Sequence, residues 1–176
     1  MNRKTLLYAL AGLLALVIGG WTARTLYAPR PADAQALARL WATSLPDTHG
    51  QNQALSQWRG KILVLNFWAT WCPPCREEIP DFIALRAQFQ SQNVEFVGIA
   101  IDNAGPVAAF SREMKIPYPL LIGEGAVHAL ARQPGNPSGA LPYTIVIDRG
   151  GKIILNHLGR LPRAKLKAVL YQNASQ

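Results

Sequence analysis

Residues 62–75 read ILVLNFWATWCPPC, and this stretch decides the fold. Its first part, Ile62–Trp68, is a continuous apolar run of the kind typical of a strand buried on both faces of a sheet. The only two cysteines of the chain, Cys72 and Cys75, follow directly. Beyond them, apolar residues recur with helical spacing at Ile79, Phe82, Ile83, Leu85 and Phe89. The sequence therefore predicts a buried strand that leads through the cysteines into a helix.

The position of the cysteines between a strand and a helix favours redox chemistry. Unpaired backbone N–H groups and the positive end of the helix dipole lie near the first sulfur, and both stabilise a thiolate. Since the thiolate is the attacking species, we expect Cys72 to be the exposed nucleophile. Cys75, one turn along and more shielded, is predicted to resolve the mixed disulfide. The pair would then work as a redox-active disulfide without a separate cofactor.

The two residues between the cysteines indicate the direction of the reaction. Pro73 suits an early helical position, where its missing N–H would have had no partner. Pro74 removes a further backbone donor that could have reached the Cys72 sulfur. Because a lost donor destabilises the thiolate, we expect the couple to be more reducing than one that keeps the donor.

A CxxC pair has three other uses in proteins. A structural zinc site needs more ligands, but no second CxxC occurs, and His49, His128 and His157 do not show paired-ligand spacing. Copper(I) held by two thiolates stays open as an alternative, although no Met or His is placed locally to help. A purely structural disulfide is disfavoured because so short a loop constrains the unfolded chain very little.

The rest of the chain predicts an α/β domain. The expected strands and helices follow one another in an order that gives a mixed central sheet flanked by helices. The Arg149-Gly150-Gly151 turn between the last two strands indicates a hairpin. The predicted strands are Arg39–Ser44, Ile62–Trp68, Val94–Ile101, Pro142–Asp148 and Lys152–His157, and the helices after the active-site helix are Pro106–Met114, Gly125–Arg132 and Arg163–Tyr171.

The N-terminal segment Thr5–Ala23 has no formal charge. As a helix it would extend roughly 28 Å, close to the ~30 Å hydrocarbon core of a bilayer. Arg3 and Lys4 precede it, which predicts that the amino end stays in the cytoplasm. We interpret the segment as an uncleaved signal anchor, with residues 1–4 cytoplasmic, 5–23 transmembrane, 24–38 a linker and 39–176 the folded domain.

The alternative is a cleaved signal peptide. The triplet Ala32-Asp33-Ala34 fits the small-x-small cleavage pattern, but it lies well beyond the apolar run, with two arginines and two prolines between. Either interpretation exports the domain to an oxidising compartment, where a reactive dithiol can cycle.

The basic charge does not indicate nucleic-acid binding. The net charge is +8, but four of the 18 Lys and Arg residues flank the first apolar segment. The other 14 stand against 10 acidic residues and are mostly scattered. No recognition-helix pattern, zinc finger or alternation of basic and aromatic residues accompanies them. We therefore expect no nucleic-acid partner.

Two stretches carry a family resemblance. Residues 66–80, NFWATWCPPCREEIP, resemble the active-site signature of the TlpA/ResA branch of the thioredoxin superfamily. Residues 141–152, LPYTIVIDRGGK, are similar to the cis-proline strand and hairpin of that branch. The resemblance extends from about Arg39 to the end of the chain. It implies a thioredoxin-like fold for residues 39–176 and a bacterial exchanger tethered to the cytoplasmic (inner) membrane, with its domain facing the periplasm or cell exterior.

The resemblance also implies roles for individual residues. Cys72 and Cys75 match the redox pair, and Pro142 matches the proline that the family keeps cis beside the dithiol. Glu78 matches an acidic residue that the family is thought to use in proton transfer. From the residues alone, a trans proline opening a strand and an ordinary solvated helix glutamate both stay open.

Three further positions qualify the resemblance. Asn66 stands where ordinary cytosolic thioredoxins carry a buried aspartate, so Glu78 is the nearest carboxylate left to act as a base. Tyr143 stands where cytochrome-c-maturation relatives commonly carry glutamate, which argues against specificity for haem apoproteins. Trp71 is expected to pack beside the dithiol, where it belongs to the active-site environment with Pro73 and Pro74.

Together these observations predict a thiol–disulfide oxidoreductase that acts on exported proteins, as a disulfide reductant. Its expected partners are disulfide-bearing exported proteins and a membrane thiol protein that donates electrons. The alternative from another class is a membrane-anchored copper-binding or chaperone module that uses Cys72 and Cys75 as ligands.

Overall fold

The computed structural model describes residues 2–27, 31–133 and 135–174 of the 176-residue chain. Its residue contacts divide the chain into two compact units, Met1–Pro31 and Ala32–Gln176.

The N-terminal unit contains one long helix, α1 (Arg3–Tyr27). The helix includes the whole predicted segment 5–23. Its described apolar side chains are exposed, including Leu7, Leu10, Leu13, Leu14, Leu16 and Val17. Over the part of the chain that the structure describes, no helix is both long enough and apolar enough to cross a membrane. The predicted transmembrane span at 5–23 is therefore not confirmed.

The predicted linker 24–38 and the predicted strand Arg39–Ser44 are largely helical instead. Residues up to Tyr27 belong to α1, residues 28–30 lie outside the described residues, and α2 covers Pro31–Ala42. Alanine, leucine, glutamine and arginine are all strong helix formers, and proline is tolerated in the first turn. The helix is fixed by burial of Ala36, Leu37 and Leu40.

A small antiparallel ribbon follows α2 and was not predicted. Its strands are β1 (Ser44–Pro46) and β2 (Asn52–Ala54), and a 3-10 turn, Leu55–Trp58, comes next. The Asp47 carboxylate accepts the backbone N–H groups of His49 and Gln51, which closes the turn between the strands.

The central sheet has five strands in the order β5-β4-β3-β6-β7. The first three strands in space run parallel, β6 pairs antiparallel to β3, and β7 pairs antiparallel to β6, as the predicted mixed sheet requires. Only the short strand β5 had no predicted bounds. The strands are β3 (Ile62–Trp68), β4 (Val94–Ala100), β5 (Leu120–Ile122), β6 (Tyr143–Ile147) and β7 (Ile153–Leu158).

Helices cover both faces of this sheet, which explains why β3 carries apolar side chains on both of its own faces. Ile62, Val64 and Trp68 belong to a core that also contains buried residues of α3, α4 and α6. Leu63, Leu65 and Phe67 belong to a second core with residues of α2, the 3-10 turn and α5. The four remaining helices are α3 (Pro73–Phe89), α4 (Ala104–Met114), α5 (Glu124–Ala131) and α6 (Arg163–Ala174), close to their predicted positions.

Candidate active site

Cys72 lies at the junction that the sequence predicted. Strand β3 ends at Trp68, and a tight turn follows in which the backbone N–H of Cys72 donates to the carbonyl of Ala69 at 3.2 Å. Cys72 is the N-cap of α3, with extended backbone angles, and its carbonyl accepts the first helical hydrogen bond from the N–H of Arg76. Its sulfur is therefore attached at the end of the helix where unpaired N–H groups concentrate.

Two prolines occupy the first two positions of that helix, Pro73 and Pro74. Neither has a backbone N–H, so two of the donors that a helix start normally offers are absent. The thiolate-stabilising effect of the helix start thus rests mainly on the dipole and on donors further along α3.

Cys72 and Cys75 form a disulfide, with their Cα atoms 5.3 Å apart. The exposed fraction is 4% for Cys72 and 0% for Cys75, so Cys75 is the more shielded of the two, as predicted. Cys72 itself is much less exposed in this oxidised form than the sequence suggested. Cys72 lines a groove that offers a substrate sulfur a path to it.

A carboxylate that the sequence analysis did not single out holds the turn before Cys72. Asp102 follows β4, and its Oδ2 accepts hydrogen bonds from the backbone N–H of Thr70 at 3.0 Å and from Thr70 Oγ1 at 2.5 Å. Because β3 and β4 are parallel neighbours, the residues that follow them meet at the same edge of the sheet. Thr70 and Asp102 each follow an apolar strand, and this shared position was the available sequence signal.

Glu78 is fully buried, which excludes the interpretation of a solvated helix glutamate. Its Oε1 accepts a hydrogen bond of 2.8 Å from Asn66 Nδ2, and its Oε2 accepts one of 3.0 Å from the backbone N–H of Leu161. Burial raises the pKa of the Glu78 carboxyl from 4.5 to about 7, although the hydrogen bonds from Leu161 and Asn66 act in the opposite direction. The group therefore titrates near neutral pH, one helical turn from Cys75.

Asn66 links this carboxyl group to the sheet. It lies in β3 opposite Thr144 of β6, and its Nδ2 also donates to Thr144 Oγ1 at 3.0 Å. A polar side chain in a strand buried on both faces needs such partners, because an unpaired buried amide costs about 1–3 kcal/mol. The single polar residue of the ILVLNFW run was thus a signal for the position of a polar cluster.

The peptide bond between Leu141 and Pro142 is cis, and Pro142 is buried. It precedes β6, which pairs with β3, so it lies on the same side of the fold as the residues after β3. The Pro142 carbonyl accepts a hydrogen bond of 2.8 Å from the backbone N–H of Gly159.

An open groove of about 500 Å³ brings together four of the predicted residues, Trp71, Cys72, Pro73 and Pro74, whereas Cys75, Glu78 and Pro142 do not line it. Trp71 lines the groove beside Cys72, but its side chain is 67% exposed and is packed less than expected. Further lining residues come from α5 and from the loop before Pro142, neither of which was predicted to belong to the site. The lining residues are Trp71, Cys72, Pro73, Pro74, Ile101, His128, Ser138, Gly139, Ala140 and Leu141.

Side chains that could hold a metal ion do not cluster in the described ranges: no group of three or more His, Cys, Asp or Glu residues comes together there. A copper site of the kind left open by the sequence would have to rest on the two cysteine sulfurs alone.

Comparisons with known proteins agree with this geometry. The model of the AhpC/TSA family matches residues 38–155. Thioredoxin-like protein YneN of Bacillus subtilis is 27% identical over 168 residues, which cover 92% of this chain and 95% of that protein. Thiol-disulfide oxidoreductase ResA of Geobacillus thermodenitrificans is 30% identical over 126 residues, 70% of this chain and 69% of ResA.

A solved structure has a similar fold. The thiol:disulfide interchange protein of Chlorobium tepidum superposes with a TM-score of 0.66 at 27% identity, covering 75% of this chain and 92% of that one. The cysteine pair at the start of α3, the mixed sheet and these relatives lead to one assignment: the chain belongs to the AhpC/TSA family, as a thioredoxin-like thiol–disulfide oxidoreductase of the ResA type.

Proposed function

We propose that the protein reduces disulfides in exported proteins, with Cys72 as nucleophile and Cys75 as resolving thiol. The observation that carries the direction of the reaction is the pair of prolines directly after Cys72. Pro73 and Pro74 offer no N–H to a Cys72 thiolate, so the dithiol form is less stabilised than at a helix start with its donors intact. A less stabilised dithiol gives up its electrons more readily.

The catalytic cycle starts from the reduced protein. The Cys72 thiolate attacks one sulfur of the substrate disulfide, a mixed disulfide forms, and the other substrate sulfur leaves as a thiolate that takes up a proton. Cys75 then loses its proton and attacks the Cys72 sulfur, which releases the second substrate thiol and forms the Cys72–Cys75 disulfide. In each cycle two electrons pass from the protein to the substrate, and the two substrate sulfurs take up one proton that Cys75 gave up and one from solvent, which Cys72 had released on forming its thiolate.

Glu78 is the group that we assign to the proton of Cys75. Three observations support the assignment: Glu78 lies one helical turn after Cys75, it is fully buried, and its pKa is about 7. A base with a pKa near the working pH is the most effective proton acceptor. The role of Asn66 is to hold that carboxyl group in place through its hydrogen bond to Oε1.

Turnover needs a second thiol protein, at the membrane, that reduces the Cys72–Cys75 disulfide again. In this scheme the same groove serves both partners in turn, because Cys72 lines it. Exported proteins are the substrate class, since the N-terminal segment predicts delivery of the domain outside the cytoplasm.

The membrane association of α1 is also part of the proposal. What supports it is the exposure of apolar side chains along the helix, such as Leu7, Leu13 and Val17. Exposed apolar surface on this scale marks contact with a membrane or another protein. Membrane fractions from cells that produce the full chain should contain the protein, and its recovery in the soluble fraction alone would contradict the membrane association of α1.

The direction of catalysis is tested by equilibrating the protein with glutathione redox buffers. We expect a potential closer to the ~−270 mV of thioredoxin than to the ~−120 mV of a strong oxidase. A variant with Pro74→Ala restores one N–H and should shift the potential upward. A potential at the oxidase end for the wild type would contradict the reductant role.

The substrate class is tested with the Cys75→Ala variant, which cannot resolve its mixed disulfides. Trapped disulfide-linked exported proteins would support exchange. Retention of one copper ion per wild-type chain without any disulfide turnover would support the copper-binding alternative instead.

A further inference from the structure

The groove beside Cys72 has a second wall that the CPPC motif does not supply. His128 of α5 and residues 138–141 of the following loop line it together with Trp71 and Pro74, and we call them its second wall. A concave groove of this kind can recognise what lies next to the sulfur that Cys72 attacks.

An asparagine at the centre of the loop fixes this second wall. Asn136 is fully buried. Its Nδ2 donates to the carbonyls of Ala131 and Ala140 at 3.0 Å each, and its Oδ1 accepts the backbone N–H of Ala140 at 2.9 Å. The wall is therefore joined to the end of α5 by the hydrogen bonds of one buried side chain.

His128 and Gly139 lie in direct contact within the wall. A Cβ atom added to Gly139 would lie 2.9 Å from His128 Cε1 and 3.2 Å from Nδ1, and the φ of Gly139 is +69°. Only a glycine allows the loop backbone to approach the imidazole this closely. The half-buried ring thus closes the gap between α5 and the loop.

The lining is mainly apolar. Trp71, Pro73, Pro74, Ile101 and Leu141 contribute most of it, and none of the described lining residues is an aspartate, a glutamate, a lysine or an arginine. A charged side chain entering this groove would lose water without gaining an opposite charge, whereas an apolar one gains from burial.

We infer that His128 is a specificity-determining residue, which favours an apolar over a charged side chain next to the reacting cysteine of a substrate polypeptide bound in this groove. The inference rests on the proposed function, because the occupant arrives through the mixed disulfide with Cys72. A cysteine joined to Cys72 brings its own flanking residues to the groove that Cys72 lines. The preferred substrates would therefore present cysteines beside leucine-sized residues, as unfolded or partly folded polypeptides do.

Synthetic peptides test this directly. Each carries one cysteine in a mixed disulfide with 2-mercaptoethanol, and the residue before or after the cysteine is Leu, Gly, Lys or Asp. Reduction yields the peptide thiol, 2-mercaptoethanol and the Cys72–Cys75 disulfide. In at least one of the two series we expect the second-order rate constant for Leu to exceed that for Lys about tenfold or more, the effect of burying one leucine side chain.

Three variants assign the selectivity to the second wall. His128→Ala opens the wall and should lower the Leu-to-Lys ratio at least threefold, whereas His128→Phe keeps an apolar wall and should preserve the ratio. His49→Ala changes an exposed histidine that does not line the groove and should leave the ratio as it is.

The outcomes separate this inference from the proposed function. Hydroxyethyl disulfide has no flanking residues, so its reduction by the wild type reports on exchange alone. If it is reduced while the four peptides of each series react equally, or the Asp peptide reacts fastest, the inference is overturned and the exchange activity stands. An unchanged ratio in His128→Ala overturns the role of His128, and no reduction of any disulfide overturns both proposals.

Discussion

The amide nitrogen of Asn66 donates a hydrogen bond of 2.8 Å to the carboxyl group of Glu78, and both side chains are buried. Asn66 belongs to the central strand and Glu78 to the helix that carries both cysteines. The contact therefore joins the sheet to the active-site helix through a group that titrates near pH 7. Four predictions follow from this contact and from the turn beside it.

The first concerns the step in which Cys75 resolves the mixed disulfide. We expect Glu78→Gln to slow this step about 10²-fold, because the amide cannot accept the thiol proton. In the wild type the rate should rise with pH and show an inflection near pH 7, which the variant lacks. Single-turnover kinetics followed by tryptophan fluorescence measure the rate of the resolving step. The matched control is Glu77→Gln, which changes an exposed carboxylate.

The same carboxyl group makes stability depend on pH. Since its pKa is higher in the folded protein than the ordinary 4.5, the folded state binds the proton more tightly. The favourable contribution of the Glu78 carboxyl group to the free energy of unfolding is complete below pH 4.5, and it is lost as the pH rises to about 7. Relative to Glu78→Gln, the free energy of unfolding of the oxidised wild type should fall by about 3 kcal/mol over this interval. Urea denaturation of both proteins at pH 4.5 and pH 8 checks this. A difference in free energy of unfolding between the wild type and Glu78→Gln that is the same at both pH values would contradict it.

An aspartate in place of Asn66 should raise the pKa of Glu78 further. Two carboxyl groups at hydrogen-bond distance cannot both ionise easily, and the amide donor to Oε1 is lost as well. We expect the kinetic inflection of Asn66→Asp to move upward by about one pH unit or more. Asn93→Asp, at an exposed position, is the control, and an inflection that stays in place would show that Asn66 does not tune the carboxyl group.

The turn before Cys72 should depend on Asp102. Asp102→Ala removes the acceptor of two hydrogen bonds from Thr70, so the free energy of unfolding should fall by about 2 kcal/mol. Thr70→Val keeps the backbone hydrogen bond and should cost less, about 1 kcal/mol. Glu113→Ala, at an exposed acid in α4, should change stability by no more than about 0.5 kcal/mol. Equal losses in all three variants would argue against a specific role for the Asp102 carboxylate.

Local patterns were sufficient for much of the fold. A run of neighbouring residues is enough to predict three elements: strand β3, helix α3 and the β6–β7 hairpin. All three occur where the sequence predicts them. Helix α2 was wrongly predicted as a linker and a strand because prolines and polar residues suggested an open chain. The burial of Leu37 and Leu40 in the second core also stabilises this helix. That contact joins segments that are far apart in sequence.

Some features of the candidate site could be predicted from the sequence, and others could not. The cysteines were found from their motif, and Pro142 and Glu78 from the family resemblance. The burial of Glu78, the contact between Asp102 and Thr70, and the loop around Asn136 depend on where distant segments meet. No spacing rule within the sequence contains that information, so these features required the structure.

The covering of the second sheet face by α2 has a practical consequence for anyone who trims the chain to a soluble fragment. A cut before residue 39, where the folded domain was expected to start, would remove Leu37 and leave Leu40 in a truncated helix. Apolar residues of β3 would then be exposed on a fragment that still contains both sulfurs. Fragments meant for crystallisation or assay should begin ahead of Pro31.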